Sequence, residues 1–176
     1  MRAVLCKELG PPENLVVEEV PSPEVKADQV LIKIGGCGVN FPDTLIIQGK
    51  YQHKPELPFS PGGEVAGEII KVGGDVTSAK VGDRVIAMCG HGGFAEEIAI
   101  GADRVFPIPE EMGFVVASAF ILTYGTSYHA LKQRAKLQPG ETLLVLGAAG
   151  GVGLAAVELG KRWAQRLSQR RARLKS

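Results

Sequence analysis

Apolar positions in the first part of the chain come in short runs, several of them alternating with polar ones. RAVLC (2–6), LVVEEV (15–20), QVLIKIGGCGV (29–39), GEVAGEIIKVG (63–73), DRVIAM (83–88), FAEEIAI (94–100) and RVFPIP (104–109) are rich in Val and Ile. A period of two sends successive side chains to opposite faces, the signature of half-buried strands. The breaks PPEN, PSPE, GGD, VGD and GHGG carry the Gly, Pro, Asn and Asp that turns require. So many short strands in about 110 residues predict a compact, largely antiparallel barrel or sandwich. One helical turn is expected near residues 40–48.

From about Met112 the period changes. FVVASAFILTYGTSYHALKQRA (114–135) sets small and apolar residues at helical spacing, and Gly125 predicts a break between two helices. QPGE (138–141) reads as a turn, followed by LLVLGAAGGVGLAAVELG (143–160). Leu143–Leu146 predict a buried strand bounded by Gly147, and LAAVELGK (154–161) predicts a helix. Strand, glycine turn and helix in that order suit a dinucleotide pyrophosphate. The backbone can approach it without Cβ obstruction, and the helix aims its first N–H groups at the anion. The order is thus a β domain, connecting helices and the opening βα unit of a doubly wound α/β domain.

Composition narrows this little. The 45% apolar and 22% charged residues are those of an ordinary globular protein. No uninterrupted apolar run approaches the ~18 residues of a membrane span, and the N-terminus lacks a signal-peptide pattern. Cys6, Cys37 and Cys89 are odd in number and widely spaced, which fits a reducing cytoplasm better than a disulfide framework. His53, His91 and His129 read as isolated, and no cluster has metal-ligand spacing. Charge is uneven: of the 20 basic side chains seven fall in 161–176, which holds no acid, leaving 13 against the 19 acids of residues 1–160.

GCGVNFPDTLIIQGKY (36–51), LPFSPGGEVAGEI (57–69), VGDRVIA (81–87), GGFAEEIAI (92–100) and LTYGTSYHALKQRAKLQPGETLLVLGAAGGVG (122–153) together resemble the medium-chain dehydrogenase/reductase superfamily. Within it, the chain is most similar to the zinc-independent quinone oxidoreductases related to zeta-crystallin. The likeness covers residues 1 to about 161, in the family's order. It implies a GroES-like β barrel (1–121), then a connecting helix and the first βα unit of a Rossmann domain (122–161), so α+β joined to an incomplete α/β fold. The basic tail (162–176) stands apart.

The resemblance also implies site residues. Zinc alcohol dehydrogenases of the superfamily place a Cys where this chain has Asn40 and a His where it has Gly63. Neither replacement binds zinc, so no metal is expected. Asn40, which also reads as a helix N-cap before Phe41, Pro42 and Asp43, would line the substrate pocket. Tyr51 would donate a hydrogen bond to a carbonyl as hydride adds. Thr126 would face the nicotinamide carboxamide, with Thr123 and Tyr128 as second choices. Ala148, Gly150, Gly151, Val152 and Gly153 would cradle the pyrophosphate, and Glu64 would lie near the cleft. The implied reaction is hydride transfer from NADPH, or from NADH, to a quinone or another α,β-unsaturated carbonyl. Two rival readings are a catalytically silent remnant and a binding module using the basic tail on nucleic acid or lipid. The small-molecule partner is the expected one, with neither nucleic acid nor membrane.

Family members continue past the first helix into a second apolar strand. RWAQRLSQRRARLKS (162–176) has no β-branched residue and no glycine, so a buried parallel strand is not expected there. Extension of the helix would put Trp163 and Leu167 on one face. Loss of the reading frame near Lys161 would account for this basic end, and the chain is read as truncated. Strand 143–147 should then have exposed edges and apolar faces.

Overall fold

The computed structural model describes residues 1–163 and the strand at 166–170. It divides into two compact units, Met1–Ala119 and Phe120–Ser176.

In the first unit, β3 (Gln29–Gly38), β4 (Glu64–Val72), β5 (Arg84–Met88), β6 (Glu97–Gly101) and β7 (Val105–Pro107) form one antiparallel sheet in the order β6-β3-β4-β5-β7. β1 (Arg2–Leu5) and β2 (Val16–Glu19) pair separately as an antiparallel ribbon. Among the described residues the ladder does not close into a hydrogen-bonded ring. Single bridges from Ala3 to Ala95 and from Cys6 to Phe59 attach the ribbon instead. The expected barrel is therefore an open sheet with a ribbon laid on it. β3 slips register against β4 between Leu31 and Ile32 and again between Ile34 and Gly36, and such bulges bend a strand and increase its twist.

Alternation does what the pattern requires. Val30, Ile32, Val65 and Ile69 are fully buried and pack with Val85 and Ile98 into one core, while Lys33 and Glu68 face out. Each such side chain contributes about 1.5–3 kcal/mol of hydrophobic stabilisation. A second cluster of Cys6, Ile46, Ile47 and Phe59 seats α1 (Phe41–Ile46). That helix ends where Gly49 takes a left-handed φ of 67° and returns its N–H to Ile46 O, a glycine stop.

The helical stretch after Met112 does not break at Gly125, whose φ and ψ of −60° and −46° are helical. Two π-helical segments, Ile121–Gly125 and His129–Arg134, flank one α turn, Thr126–Tyr128. A glycine costs a helix about 1 kcal/mol relative to alanine, which continued turns on both sides can outweigh. The run Phe114–Arg134 is long and apolar enough, by length and composition, to cross a membrane. In its second half Ser127 and Leu131 are buried.

β8 (Thr142–Leu146) leads through the glycine turn into α2 (Gly151–Trp163), and β9 (Arg166–Arg170) returns parallel to β8, Thr142 opposite Arg166 and Leu146 opposite Arg170. A parallel strand here is contrary to the reading of the tail, which has no β-branched side chains. Backbone N–H and C=O groups pair whatever side chains they carry, so an open strand edge recruits even an unpromising segment. Only the backbone of this strand is described, and the expectation that Leu167 shares a face with Trp163 lies outside the described side chains, as do residues 171–176. The buried strand expected at 143–146 is only half so: Val145 is buried, but Leu144 and Leu146 are 54% and 75% exposed.

Candidate functional site

In the first unit the polar groups gather at the start of α1. Asn40 is extended, with φ and ψ of −123° and 159°, and precedes Phe41 as the cap. Its backbone N–H donates to Asp43 Oδ2 at 2.7 Å, and the Asp43 N–H donates to Asn40 O at 3.0 Å. Asn40 thus holds the cap position, with the Asp43 carboxylate returning to its backbone N–H. The amide of Asn40 turns elsewhere, and Nδ2 donates to Glu64 Oε1 at 2.8 Å. Glu64 opens β4 and is buried, as is Asp43. Burial raises the Asp43 pKa, against the opposing pull of backbone N–H groups from Asn40, Gly62 and Gly63.

An amide carries two N–H donors. Glu64 holds one of them and fixes the side chain. The thiols of Cys37 and Cys89 donate to Glu64 O and Gly62 O at 3.1 and 3.3 Å. Burial pushes both thiols up to about 12, so they are protonated at neutral pH and are neither thiolate nucleophiles nor ready zinc ligands. Among the described residues no three His, Cys, Asp or Glu side chains converge on a point that could hold a metal.

Tyr51 is half-buried and packs against the Cys6, Ile46, Ile47 and Phe59 cluster, at the other end of α1 from Asn40. Asn40, Asp43 and Glu64 are joined by hydrogen bonds, and Tyr51 sits in the loop that follows α1.

The second unit holds the glycine turn. Gly147 has a left-handed φ of 68°, and Gly150 N–H donates to Gly147 O at 3.0 Å. Leu154 N–H makes the first bond of α2, to Gly150 O at 2.7 Å. The N–H groups of Gly151, Val152 and Gly153 come before it and have no acceptor within the helix. A Cβ at Gly153 would lie 2.2 Å from Gly147 O, so only glycine lets α2 sit this close to the end of β8. At Gly150 the nearest atom would be 3.6 Å away. A methyl would fit there without a clash, and would fill the space in front of the turn.

A cavity of about 450 Å³ opens before these groups, lined by Ser127, Leu146, Gly147, Gly150, Val152 and Ala156 among others. The residues fit a dinucleotide: a concave glycine backbone, a helix N-terminus offering free N–H groups, and an apolar floor. Ala148 belongs to the turn itself. Thr126 is exposed, whereas the Thr123 methyl lies where a Cβ on Gly151 would come within 2.9 Å. Tyr128 meets Trp163 edge-on, with ring centres 5.3 Å apart. Ser127 had no place in the sequence reading, yet it is buried and donates to Val152 O at 2.7 Å, tying the upstream helix to the first turn of α2. Its signal was faint: one hydroxyl in a run of small residues.

The sequence reading of isolated histidines fails for two of the three. His53 Nε2 and His91 Nδ1 lie 3.1 Å apart, joined by loops 38 residues apart in sequence. His129 bonds Gln133 Oε1 one helical turn on.

Residues 26–110 match the family described as Alcohol dehydrogenase GroES-like domain. A quinone oxidoreductase-like protein 2 homolog of Nematostella vectensis is 50% identical over 160 residues, 90% of this chain and 43% of that protein. The quinone oxidoreductase of Homo sapiens is 43% identical over 163 residues, 92% of this chain and 50% of that protein. Among solved structures, the quinone oxidoreductase of Thermus thermophilus, described also in complex with NADPH, superposes with a TM-score of 0.82 at 34% identity. That superposition covers 96% of this chain and 52% of that one. The chain spans about half the length of the curated relatives it matches. With the antiparallel sheet and glycine turn that it shares with them, the chain belongs to the medium-chain dehydrogenase/reductase superfamily, beside its quinone oxidoreductases.

Proposed function

We propose that this chain supplies the substrate side and the pyrophosphate turn of a zinc-independent, NADPH-preferring oxidoreductase acting on a quinone or another α,β-unsaturated carbonyl. The observation that carries the reading is the turn: Gly153 is held against Gly147 O while Gly150 leaves open space before three free N–H groups. The NADPH complex of the Thermus relative supports the choice of nucleotide. Residues 1–121 make the barrel domain in this reading and residues 122–161 the nucleotide-binding start.

The N–H groups of Gly151, Val152 and Gly153 hold the pyrophosphate, with Ala148 and Gly150 shaping the turn. Thr126 orients the carboxamide end. When bound, the nicotinamide supplies the hydride. Asn40 donates its second amide N–H to the substrate oxygen as negative charge develops, with Glu64 keeping that amide in place. Tyr51 supplies a second donor from its loop. Asn40 and Gly63 stand where zinc enzymes of the superfamily carry Cys and His, which supports orientation and hydrogen bonding in place of a metal. The three free cysteines fit a reducing cytoplasm.

Calorimetric titration of the purified chain with NADPH, and with NADH for comparison, tests this. Saturable binding, tighter for NADPH and weakened by Gly150→Ala at unchanged thermal stability, is the expected result. A folded chain that takes up neither nucleotide overturns the proposal. If binding holds, Asn40→Ala should lower kcat about 10²–10³-fold, the loss typical of one oxyanion donor.

A further inference from the structure

We propose that His53 and His91 form a two-imidazole binding site for a divalent transition cation of the Zn²⁺ or Ni²⁺ class. The two rings come from loops that share no regular pairing, yet Nε2 of one and Nδ1 of the other meet at 3.1 Å with ring centres 5.1 Å apart. With metal–nitrogen bonds of about 2.05 Å, nitrogens at that separation subtend about 98° at a shared ion. This lies between the right angle of square and octahedral sites and the tetrahedral angle, so the spacing of the two nitrogens suits one shared ion once the rings turn their lone pairs toward it.

Local sequence explains why His91 is held ready. It sits between Gly90 and Gly92, whose φ values of 81° and 100° belong to the left-handed region. The loop is fastened by Gly90 N–H to Gly63 O, Gly92 N–H to Ser60 O and Gly93 N–H to Gly62 O, at 2.9, 2.6 and 3.0 Å. The Phe59 ring meets the imidazole edge-on. Burial lowers the His91 pKa, and His53 and Arg104 add to that. His53 is exposed, on the loop after Tyr51, and can adjust.

Without metal the facing nitrogens share one proton in an N–H···N bond. On binding, the ring that donates moves its proton to its other nitrogen, both facing lone pairs go to the cation, and no proton is released. Two nitrogens leave the remaining positions to water, and the nearby Arg104 charge opposes the cation, so affinity is modest. The hard ions Mg²⁺ and Ca²⁺, which take oxygen ligands, are excluded by the donor set.

The test is calorimetric titration of the untagged full chain with NiCl₂ and ZnCl₂ near neutral pH, with MgCl₂ for comparison. One equivalent of Ni²⁺ or Zn²⁺ should bind and Mg²⁺ should not. His53→Ala and His91→Ala should each weaken binding by at least about tenfold, the lower end of what a change outside the ligand shell costs. His129→Ala should leave it unchanged. In ¹⁵N spectra of the histidine rings, Zn²⁺ should move His53 Nε2 and His91 Nδ1. Absence of saturable binding, binding that survives both single variants, or Zn²⁺ shifts confined to other nitrogens overturns the proposal. His53 is exposed, so His53→Ala remains informative if His91→Ala, checked by circular dichroism, fails to fold.

Discussion

The two units use similar apolar residues to opposite effect. In the first, Val30, Ile32, Val65 and Ile69 are wholly buried between antiparallel strands that close the core around them. In the second, Leu146 and Leu154 are 75% and 50% exposed on an equally regular strand and helix. Alternation needs one covered face, and the antiparallel sheet with its ribbon provides it. A doubly wound unit needs layers on both faces of its strand, and one strand–helix–strand turn does not provide them. Regular secondary structure is therefore a weaker guide to stability than the number of faces covered.

Core truncation gives the largest test of that contrast. Ile69→Ala should destabilise the first unit by about 2–5 kcal/mol, whereas Leu146→Ala should stay within about 0.5 kcal/mol. Both are read from urea unfolding followed by circular dichroism, and equal costs would break the comparison. Polar ties come next. Asn40→Ala removes a hydrogen bond to buried Glu64, so a loss of about 1–3 kcal/mol is expected.

Ser127→Ala sharpens the same point in the second unit, where it removes the bond to Val152 O. The expected cost is about 1 kcal/mol. Trp163, the single tryptophan, packs against Tyr128 and reports on that unit by fluorescence. Its transition should come at lower urea than that of the sheet and move lower still in the variant.

The smallest effect is a slope with pH. Burial raises the Asp43 pKa in the folded state, so the protonated form is favoured by folding. Its stabilising contribution is complete below the ordinary aspartate value and is lost as pH rises through the raised native one. One group contributes at most about 1.4 kcal/mol per pH unit. Asp43→Asn should flatten that slope in unfolding free energies measured across the acid range.

Local features were legible in the chain and distant ones were not. The cap at Asn40 could be read because its partner Asp43 is three residues away, within the same helical turn. The partner of the Asn40 amide, Glu64, is 24 residues on, and nothing in GEVAGEII announces which polar side chain it will meet. Gly125 looked like a break because glycine is a poor helix former, yet the turns on both sides carry the helix through it. The tail looked unfit for a strand on side-chain grounds, but β8 offered backbone groups to pair with, and those are common to every residue.

The sequence by itself determined the period-two strands with their buried face, the capped turn at residues 41–46, and a glycine turn between strand and helix. Each depends on residues within a few positions of one another, where spacing alone sets the geometry. Tertiary structure alone decided that the sheet stays open, that Glu64 holds Asn40, that Ser127 ties to Val152, and that His53 meets His91. Those contacts join segments about 24 to 38 residues apart, and their energy depends on where the fold brings the chain back to itself.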